Sequence, residues 1–299
     1  MESANVLMTG SSSGFGLLTT KTLCDRGHTV FATMRDPDGR NAAVARELRA
    51  HGGESEGAVH VLDLDVTDDA SVDRAVGRAV EIGGTLDAAV NNAGIGVGGL
   101  AEAFTTEQYA QIFDINVLGV QRVNRAVLPP MRKRGSGLLV HVSSIMGRVI
   151  IPFAAPYTVS KFALEALAES YRYELARTGV DVAIVEPGGF LTGFGERMLA
   201  PADGAVVENY GDIAKIPRKM WSGPMERVQS EEGPSPQLVA DAIADLIEMP
   251  AGGRPLRTVV DPVMEGAGSI LLNGATRETQ EALLGSLGVS DLLQTGRRA

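Results

Sequence analysis

The sequence predicts an α/β protein in which helices cover both faces of a doubly wound, seven-stranded parallel sheet. Short β-branched and aliphatic runs alternate with longer amphipathic stretches, which is the pattern of successive β-α-β units. The chain has 299 residues, 44% of them hydrophobic and 21% charged, so it can bury the core of one large domain. Right-handed crossovers then bring the carboxyl ends of the strands to one edge, where ligands of such sheets bind.

Seven strands and six helices follow from this alternation. The strands are expected at residues 4–9, 28–33, 58–63, 86–90, 137–142, 180–185 and 255–260. The helices are expected at residues 15–26, 40–50, 69–83, 105–134, 156–178 and 236–249. We interpret residues 1–260 as a single domain. Residues 261–299 form a C-terminal extension with a helix near 276–284, expected either to close the pocket or to cover a subunit interface.

Residues 190–235 interrupt the alternation, because they carry no strand pattern and only weak helical periodicity. Connections of this length are usually functional lids or disordered segments. The apolar side chains here, among them Met198, Leu199 and Trp221, favour a lid over an apolar substrate.

The composition excludes several classes of partner and site. The chain has 27 basic and 37 acidic residues, and its formal net charge of −10 repels nucleic acid and anionic membranes. It has one cysteine and no apolar run suited to a signal peptide or a membrane span, so we expect a cytoplasmic protein without a disulfide. The four histidines lack ligand spacing, so no catalytic metal is expected.

A glycine-rich turn follows the first predicted strand. The segment from Thr9 to Gly16 reads T-G-S-S-S-G-F-G and leads directly into the first predicted helix. Glycines at such a junction let a pyrophosphate approach the backbone, and the helix N-terminus offers amide donors. The spacing differs from the general dinucleotide pattern G-x-G-x-x-G. The turn predicts a dinucleotide site, with a plain Gly-Ser turn as the alternative.

The end of the second predicted strand bears on the choice between NAD and NADP. A carboxylate there would bind a ribose 2′-hydroxyl, whereas an arginine would pair with a 2′-phosphate. The chain has Thr33 at this place and Arg35 just after it, which favours NADP. Ser13 is expected to donate to the same phosphate. In the alternative interpretation, Arg35 is solvated and pairs with Asp36 or Asp38.

Polar residues also follow the third and fourth predicted strands. Asp65 is placed where the edge of an adenine ring would lie. The segment N-N-A-G, from Asn91 to Gly94, has small residues that let the chain pass close to a cofactor. Asn91 and Asn92 are expected either to contact the cofactor or to tie strand ends together.

Tyr157 and Lys161 lie four residues apart and share a face of a predicted helix. The pKa of a free tyrosine is about 10, and a nearby ammonium lowers it, so the phenol can exchange a proton with substrate. Ser144, just past the fifth predicted strand, is placed to hydrogen-bond a carbonyl oxygen beside that phenol, with Ser143 as the rival candidate.

Other polar residues lie within predicted helices. Asn116 is mildly unfavourable in a helix, which suggests either a buried water network or a local cap. Glu165, Glu169 and Glu174 follow Lys161 on its helix and are expected to be solvated.

In these motifs the chain resembles the short-chain dehydrogenase/reductase superfamily, whose patterns T-G-x-x-x-G-x-G, N-N-A-G and Y-x-x-x-K occur here in order. The stretch F-A-T-M-R-D is similar to that of the NADP-preferring branch with 17β-hydroxysteroid and retinol dehydrogenases. The resemblance implies a Rossmann-like fold in which Tyr157 protonates the carbonyl, Ser144 positions it and Lys161 lowers the tyrosine pKa. It also implies that Asn116 holds a water of the proton relay.

The same resemblance implies which residues contact the cofactor. They are Gly10, Ser12, Ser13, Gly14, Phe15, Gly16, Arg35, Asp65, Val66, Asn92, Ala93, Gly94, Tyr157, Lys161, Pro187, Gly188, Phe190 and Thr192.

We therefore expect an NADP(H)-dependent oxidoreductase that interconverts an apolar ketone or aldehyde and its alcohol, without a nucleic acid or membrane partner. The resemblance implies a homodimer or homotetramer built through the helices at 105–134 and 156–178. One alternative is an NAD-dependent alcohol dehydrogenase of the same family. Another is a regulatory protein that senses NADP without turnover, although such a sensor has no need of a proton donor.

Overall fold

The computed structural model describes residues 3–220, 222 and 233–295, so the predicted lid residue Trp221 lies outside the described residues. Seven strands form a single sheet. They are β1 (Asn5–Met8), β2 (Thr29–Met34), β3 (Ala58–Asp63), β4 (Ala88–Asn91), β5 (Gly137–Val142), β6 (Val180–Pro187) and β7 (Arg257–Val260).

All neighbouring strands run parallel, in the order β3-β2-β1-β4-β5-β6-β7. Val6 of β1 pairs with Val30 of β2 on one side and with Ala88 of β4 on the other. The strand order therefore reverses between β1 and β4, and a crevice opens beyond the carboxyl ends of these two strands. The predicted fold class is confirmed.

Helices cover both faces of the sheet. They are α1 (Gly14–Asp25), α2 (Ala42–Glu54), α3 (Asp69–Gly83), α4 (Thr106–Phe113), α5 (Gly119–Arg134), α6 (Ala155–Glu174), α7 (Gly204–Asn209), α8 (Gln237–Glu248) and α9 (Ala267–Ser286). Successive residues of a strand point to opposite faces. Val6 thus packs with Leu23 of α1, while Leu7 packs with Val72 of α3 and Val127 of α5, and all five side chains are buried.

The predicted helix at 105–134 is not continuous. Helix α4 ends at Phe113, a π-helical turn spans Asp114–Leu118, and α5 begins at Gly119. Sequence periodicity did not reveal this turn, because one wider turn barely changes the apolar spacing. Isolated π-helical turns are frequent at functional sites, and this one contains Asn116.

The first part of the lid is fixed to the glycine-rich loop between β4 and α4. The amide of Leu199 donates to the carbonyl of Gly96 (2.9 Å), and the amide of Gly98 donates to the carbonyl of Leu199 (3.3 Å). A Cβ at Gly96 would lie 2.4 Å from the ring of Phe194, and one at Gly98 would lie 2.9 Å from Cε of Met198. The absence of side chains at Gly96 and Gly98 therefore allows the lid to pack closely against this loop.

Helix α9 of the C-terminal extension is longer than the helix predicted near 276–284. Asn273 donates to both carboxylate oxygens of Glu186 on β6 (2.9 and 3.1 Å), and Arg148 donates to Thr276 (2.6 Å). These bonds fix α9 beside the end of β6. Among the described residues, no helix is long and apolar enough to cross a membrane.

A buried ion pair joins β6 to the chain before β7. Asp181 is fully buried, accepts hydrogen bonds from Arg254 (2.9 Å) and from the amide of Gly252 (2.8 Å), and lies 3.6 Å from Arg172. Burial raises the pKa of Asp181, but the hydrogen bonds and the two arginines outweigh burial and hold it below its usual value. This stabilisation is therefore present at neutral pH and is lost as the pH falls below about 4.

We expect Asp181→Asn to lower the free energy of unfolding by about 3 to 5 kcal/mol, because it leaves two buried arginines uncompensated. Urea denaturation at neutral pH measures the change. Glu81→Gln is the control, since Glu81 pairs with Arg78 on the surface, and it should change stability by less than about 0.5 kcal/mol. Equal effects of the two substitutions would contradict this account of the β6 ion pair.

Candidate active site

A cavity of about 840 Å³ lies at the carboxyl edge of the sheet. The segments that follow β1 to β6 all contribute to its lining, together with α6 and the first part of the lid. Every cofactor residue predicted from the sequence lines this cavity except Gly16. Of the predicted catalytic residues, Ser144, Tyr157 and Lys161 line it, and Asn116 lies behind its wall. None of the described residues of the C-terminal extension, 261–295, line it.

The glycine turn after β1 forms one end of the cavity. Gly10 has a φ of +70°, and a Cβ there would lie 2.9 Å from Cα of Ala93. The side chain of Ser13, the N-cap residue of α1, makes no capping hydrogen bond. The N-terminus of α1 therefore offers uncapped amides and the positive end of its dipole to the cavity. These features fit the pyrophosphate of a dinucleotide.

Gly16 has a different place from the one predicted. It lies behind the turn, where a Cβ would be 2.2 Å from the carbonyl oxygen of Gly10 and 2.7 Å from Nδ2 of Asn92. Its bare backbone lets α1 pack against the turn. The sequence placed Gly16 correctly in the motif but did not show on which side of the turn it lies.

The glycine-turn end of the cavity is rich in cations. Arg35 lines it as predicted, and Arg40 and Arg197 line it as well. Arg197 reaches over from the lid and donates to Oγ of Ser13 (3.0 Å). Sequence reasoning missed both additional arginines. Arg40 could have been found from the sequence, because it lies only five residues beyond Arg35. The approach of Arg197 to Ser13 could not, because it depends on the fold of the lid.

Asp65 is the acidic residue among the described residues that line the cavity. Its carboxylate accepts hydrogen bonds from the amide (3.0 Å) and hydroxyl (2.8 Å) of Thr67 and lies 3.9 Å from Arg35. Burial raises the pKa of Asp65, but Thr67 and the charges of Arg35 and Arg40 outweigh burial and leave the pKa below its usual value. Arg35 thus approaches Asp65 rather than the neighbouring Asp36 or Asp38 that the alternative interpretation named.

The two asparagines after β4 tie strand ends together. Asn91 is buried and donates to Oδ1 of Asn124 (2.9 Å). The side chain of Asn92 donates to the carbonyl of Thr9 (2.9 Å), and its backbone amide donates to the hydroxyl of the same threonine (2.9 Å). Asn92 also lines the cavity, but Asn91 does not. Asn91 therefore ties strand ends together. Asn92 ties strand ends together and also lies where it could contact a cofactor.

The segment after β6 folds over the glycine turn. The rings of Phe190 and Phe15 meet edge to face at 5.6 Å. A Cβ at Gly14 would lie 3.3 Å from Cβ of Thr192. Gly188 must be small, because a Cβ there would lie 2.0 Å from Oδ1 of Asp261. The turn predicted to face the nicotinamide thus lines the cavity and packs against the glycine turn.

Ser144, Tyr157 and Lys161 meet at the other end of the cavity. Tyr157 is in the first turn of α6, and Nζ of Lys161 lies 5.6 Å from the centre of its ring. Lys161 is almost fully buried and donates to the carbonyl of Val142 (2.8 Å). Ser144 accepts a hydrogen bond from the amide of Met146 (3.1 Å) and lies close enough to the Tyr157 phenol to lower its pKa. Ser144, rather than Ser143, is therefore the hydroxyl beside the phenol.

The pKa of Tyr157 moves opposite to the expected direction. Burial raises it to about 12, and the hydrogen bond with Ser144 offsets only part of the rise. The Lys161 ammonium donates to the carbonyl of Val142 rather than to the phenol, and burial also lowers the pKa of Lys161 to about 8. The phenol is therefore neutral and carries its proton at physiological pH.

Asn116 hydrogen-bonds two segments that form the wall of the cavity. Its Oδ1 accepts from the amide of Ile95 (2.9 Å), and its Nδ2 donates to the carbonyl of Ile95 (3.0 Å) and to Oγ of Ser160 (3.0 Å). These bonds tie the π-helical turn to the loop after β4 and to α6. A role for Asn116 in holding a water stays a prediction.

The geometry combines a dinucleotide-binding edge with a hydroxyl, a phenol and an ammonium, and the family comparison agrees with it. The profile described as short chain dehydrogenase matches residues 4–201. The chain belongs to the short-chain dehydrogenase family. It is an oxidoreductase of a family that uses NAD(P).

Two relatives named for an enzyme activity are similar to this short-chain dehydrogenase over most of its length. It is 33% identical to 3-ketodihydrosphingosine reductase of Bacteroides thetaiotaomicron over 89% of its length and 90% of that protein. It is 36% identical to 17-beta-hydroxysteroid dehydrogenase type 1 of Homo sapiens over 82% of its length and 74% of that protein. The resemblance stated from the sequence motifs is confirmed.

Solved structures share the fold. A short-chain dehydrogenase from Streptomyces avermitilis has a TM-score of 0.76 at 27% identity, with 96% of this chain and 98% of that chain covered. A single-substitution variant of actinorhodin polyketide ketoreductase with NADPH has a TM-score of 0.69 at 30% identity, with 87% and 95% covered.

NMR titration of the tyrosine rings measures the pKa of Tyr157, and the Tyr157→Phe variant assigns its signal. We expect the pKa to be raised. At about pH 10, where a free tyrosine is half ionised, Tyr157 should still be protonated. Ser144→Ala should raise its pKa further, because the hydrogen bond with Ser144 lowers it. Ser143→Ala is the control, since its Oγ has no hydrogen-bond partner among the described residues. Ionisation of Tyr157 at or below its ordinary pKa would contradict the assignment.

Proposed function

We propose that this short-chain dehydrogenase is an NADP(H)-dependent reductase of an apolar ketone or aldehyde, with Tyr157 as the proton donor. The observation that supports it is the single cavity that joins a cationic glycine turn to the Tyr157 phenol. One end has the size and charge to hold a phosphorylated dinucleotide. The other end has a neutral phenol and a hydroxyl, which are the groups that carbonyl reduction needs.

The charges of the cavity favour NADP over NAD. The protein carries a net charge of −10, yet Arg35, Arg40 and Arg197 all line the cavity near the glycine turn. A cluster of cations in a concave, partly dry site attracts an anionic ligand. Arginine also binds phosphate through paired, charge-assisted hydrogen bonds. Neither cavity-lining residue at the end of β2, Met34 or Arg35, is a carboxylate that would repel a 2′-phosphate.

The residues around the glycine turn would hold the cofactor. The pyrophosphate would lie against the turn that carries Gly10 and Gly14, and the uncapped N-terminus of α1 would donate to it. Thr192 and Phe190 would cover the nicotinamide end. When bound, the reduced cofactor supplies the hydride for the carbonyl carbon.

The protein itself handles the proton. A phenol whose pKa is about 12 is fully protonated near neutral pH, so Tyr157 can donate to the oxygen of a carbonyl as negative charge develops there. Ser144 beside it bonds the same oxygen and fixes the angle of approach. The Lys161 ammonium beside the phenol then stabilises the phenolate that proton transfer leaves behind. This arrangement favours the reductive direction.

The substrate end of the cavity is apolar. Val97 and Met146 line it, and Phe194 and Met198 cover it from the lid. The ring of Phe194 lies 5.9 Å from that of Tyr157. An apolar carbonyl compound fits such walls. Two relatives bear names that specify 3-ketodihydrosphingosine and a 17β-hydroxysteroid, and both kinds of compound present a carbonyl or alcohol on an apolar frame.

Homo-oligomer formation is part of the proposal. Leu118 of the π-helical turn and Val159 and Phe162 of α6 are exposed apolar side chains on the two helical regions that the resemblance assigned to subunit contact. Burial of these side chains in a dimer or tetramer removes them from water.

Tyr157→Phe is expected to lower ketone reduction by about 10²-fold to 10⁴-fold, the range for loss of a general acid. NADPH affinity should change little, because the ring is kept. The measurement is NADPH oxidation with long-chain ketones, a 17-ketosteroid and apolar aldehydes, paired with NADPH titration by fluorescence. Near-normal reduction by the variant would overturn the assignment of Tyr157.

The same panel separates the alternative functions. If the wild-type protein bound NADPH and reduced nothing, the sensor interpretation would replace the reductase. If NADH supported turnover as well as NADPH, the NAD-dependent interpretation would replace the NADP preference.

Arg35→Ala is expected to weaken NADPH binding by about tenfold to a hundredfold, the worth of a charge-assisted hydrogen bond of about 1.5 to 3 kcal/mol. NADH binding should be nearly unchanged, because NADH lacks the 2′-phosphate. Arg49→Ala is the control, since Arg49 lies near Asp38 outside the cavity. An equal loss for both cofactors would show that Arg35 does not bind the 2′-phosphate.

A further inference from the structure

Helix α6 carries ionisable residues at intervals of four that begin at the active site. Tyr157, Lys161 and Glu165 are successive neighbours on the helix surface, and Lys161 and Glu165 are buried. The sequence predicted that Glu165, Glu169 and Glu174 are solvated. The structure corrects this for Glu165, which is only 2% exposed, and for Glu169, whose side chain is 12% exposed and bonded to Arg257. A carboxylate so deeply buried one turn from Lys161 requires an explanation, because its desolvation is costly.

Arg257 of β7 holds the Glu165 carboxylate in place. Its Nε donates to Oε2 of Glu165 (2.8 Å), and its Nη2 donates to Oε2 of Glu169 (2.6 Å). The same Nε lies 3.3 Å from Oε1 of Glu186 on β6. Three carboxylates thus share one buried guanidinium. Only one oxygen of Glu165 is bonded to it, and Oε1 of Glu165 has no hydrogen-bond partner among the described residues.

The absence of a side chain at Gly147 brings Glu165 up to the active-site turn. A Cβ at this position would lie 2.9 Å from Cγ of Glu165, 2.8 Å from Oγ of Ser143 and 3.2 Å from the carbonyl of Lys161. The Glu165 side chain therefore lies directly beneath the turn that carries Ser143 and Ser144. Any larger residue at position 147 would separate them.

Lys161 depends on Glu165 for a compensating charge. Its only hydrogen-bond acceptor within the described part of the chain is the carbonyl of Val142, which is neutral. Burial lowers the pKa of Lys161 to about 8, and the charge of Glu165 acts in the opposite direction. Without that carboxylate, burial would act on the ammonium alone.

We propose that Glu165 is a positioning residue for Lys161, whose buried carboxylate, fixed by Arg257, keeps the Lys161 ammonium charged beside the Tyr157 phenol. The inference deepens the proposed function and rests on it, since the charge matters for catalysis only if Lys161 stabilises the phenolate of Tyr157. Glu165 acts through Lys161 and has no contact with the cavity.

Other ionisable groups surround this pair. On β5, His141 is fully buried, and burial together with the charge of Lys161 lowers its pKa to about 3, so it is neutral at working pH. On β6, burial and the nearby Glu165 raise the pKa of Glu186 to about 7. Arg148, on the turn after β5, and Arg257 both lower the pKa of Glu186 in part. Protonation of Glu186 removes one of the carboxylates that compete for Arg257.

The experiment compares wild-type protein with Glu165→Gln, Glu165→Asp and Glu169→Gln. The chain has only five lysines, Lys21, Lys133, Lys161, Lys215 and Lys219, so NMR of isotopically methylated lysines resolves Lys161 and follows its ionisation directly. The pH profile of kcat for reduction by NADPH is the second measurement. Glu169→Gln is the matched control, because it removes the same charge from Arg257 one helical turn farther from Lys161.

In Glu165→Gln the pKa of Lys161 should fall by about 1 or more, the effect of losing one nearby opposite charge. The alkaline limb of the kcat profile should move to lower pH by the same amount, because Lys161 loses its proton sooner. Glu165→Asp should restore much of the shift, and Glu169→Gln should leave both measurements near wild type.

An unchanged Lys161 pKa in Glu165→Gln would overturn the inference, even if the variant were less stable or less active. The same pKa shift in Glu169→Gln would also overturn it, because the effect would then belong to Arg257 rather than to Glu165. A lower Lys161 pKa together with a wild-type protein that reduces no carbonyl would support the charge coupling and contradict the proposed function. The two failures are thus distinguishable.

Discussion

The cavity depends on how closely the chain after β1 approaches the chain after β4. Gly10 lies against Ala93, and a side chain at Gly16 would overlap the carbonyl of Gly10. Asn92 donates two hydrogen bonds to Thr9 across the same gap. These contacts fix the glycine turn at the point where the strand order reverses, so that the N-terminus of α1 faces the cavity. The lid, the segment after β6 and the arginines all take their positions around this turn.

Charge is distributed unevenly in a protein that is acidic overall. Cations gather around the glycine turn, whereas the carboxylates near the active site lie behind α6 and are held by Arg257. Burial then decides the protonation states at the chemical end. It keeps the Tyr157 phenol neutral and weakens the hold of Lys161 on its proton. A reductase needs this combination, because the phenol must carry a proton before the reaction and tolerate a negative charge after it.

Much of this arrangement was predictable from local patterns. The alternation of apolar runs indicated seven parallel strands, and the glycine turn, Tyr157, Lys161 and Ser144 were found because each lies in a short motif with a local physical meaning. Features that depend on distant contacts were not predictable. The π-helical turn hardly alters apolar periodicity, and Arg197 reaches Ser13 only because the lid folds back across the sheet edge. Glu165 looked like a solvated helix residue until its burial against Gly147 and Arg257 was visible.

The central claim is that one cavity brings a hydride from NADPH and a proton from Tyr157 to the same carbonyl. The most direct measurement follows the fate of deuterium from NADPH that is deuterated at the transferable position of the nicotinamide. Mass spectrometry and NMR of the alcohol formed from an apolar ketone should locate one deuterium on the carbinol carbon, with the hydroxyl hydrogen from solvent. The absence of an alcohol product, or an alcohol whose carbinol hydrogen came from water, would contradict the claim.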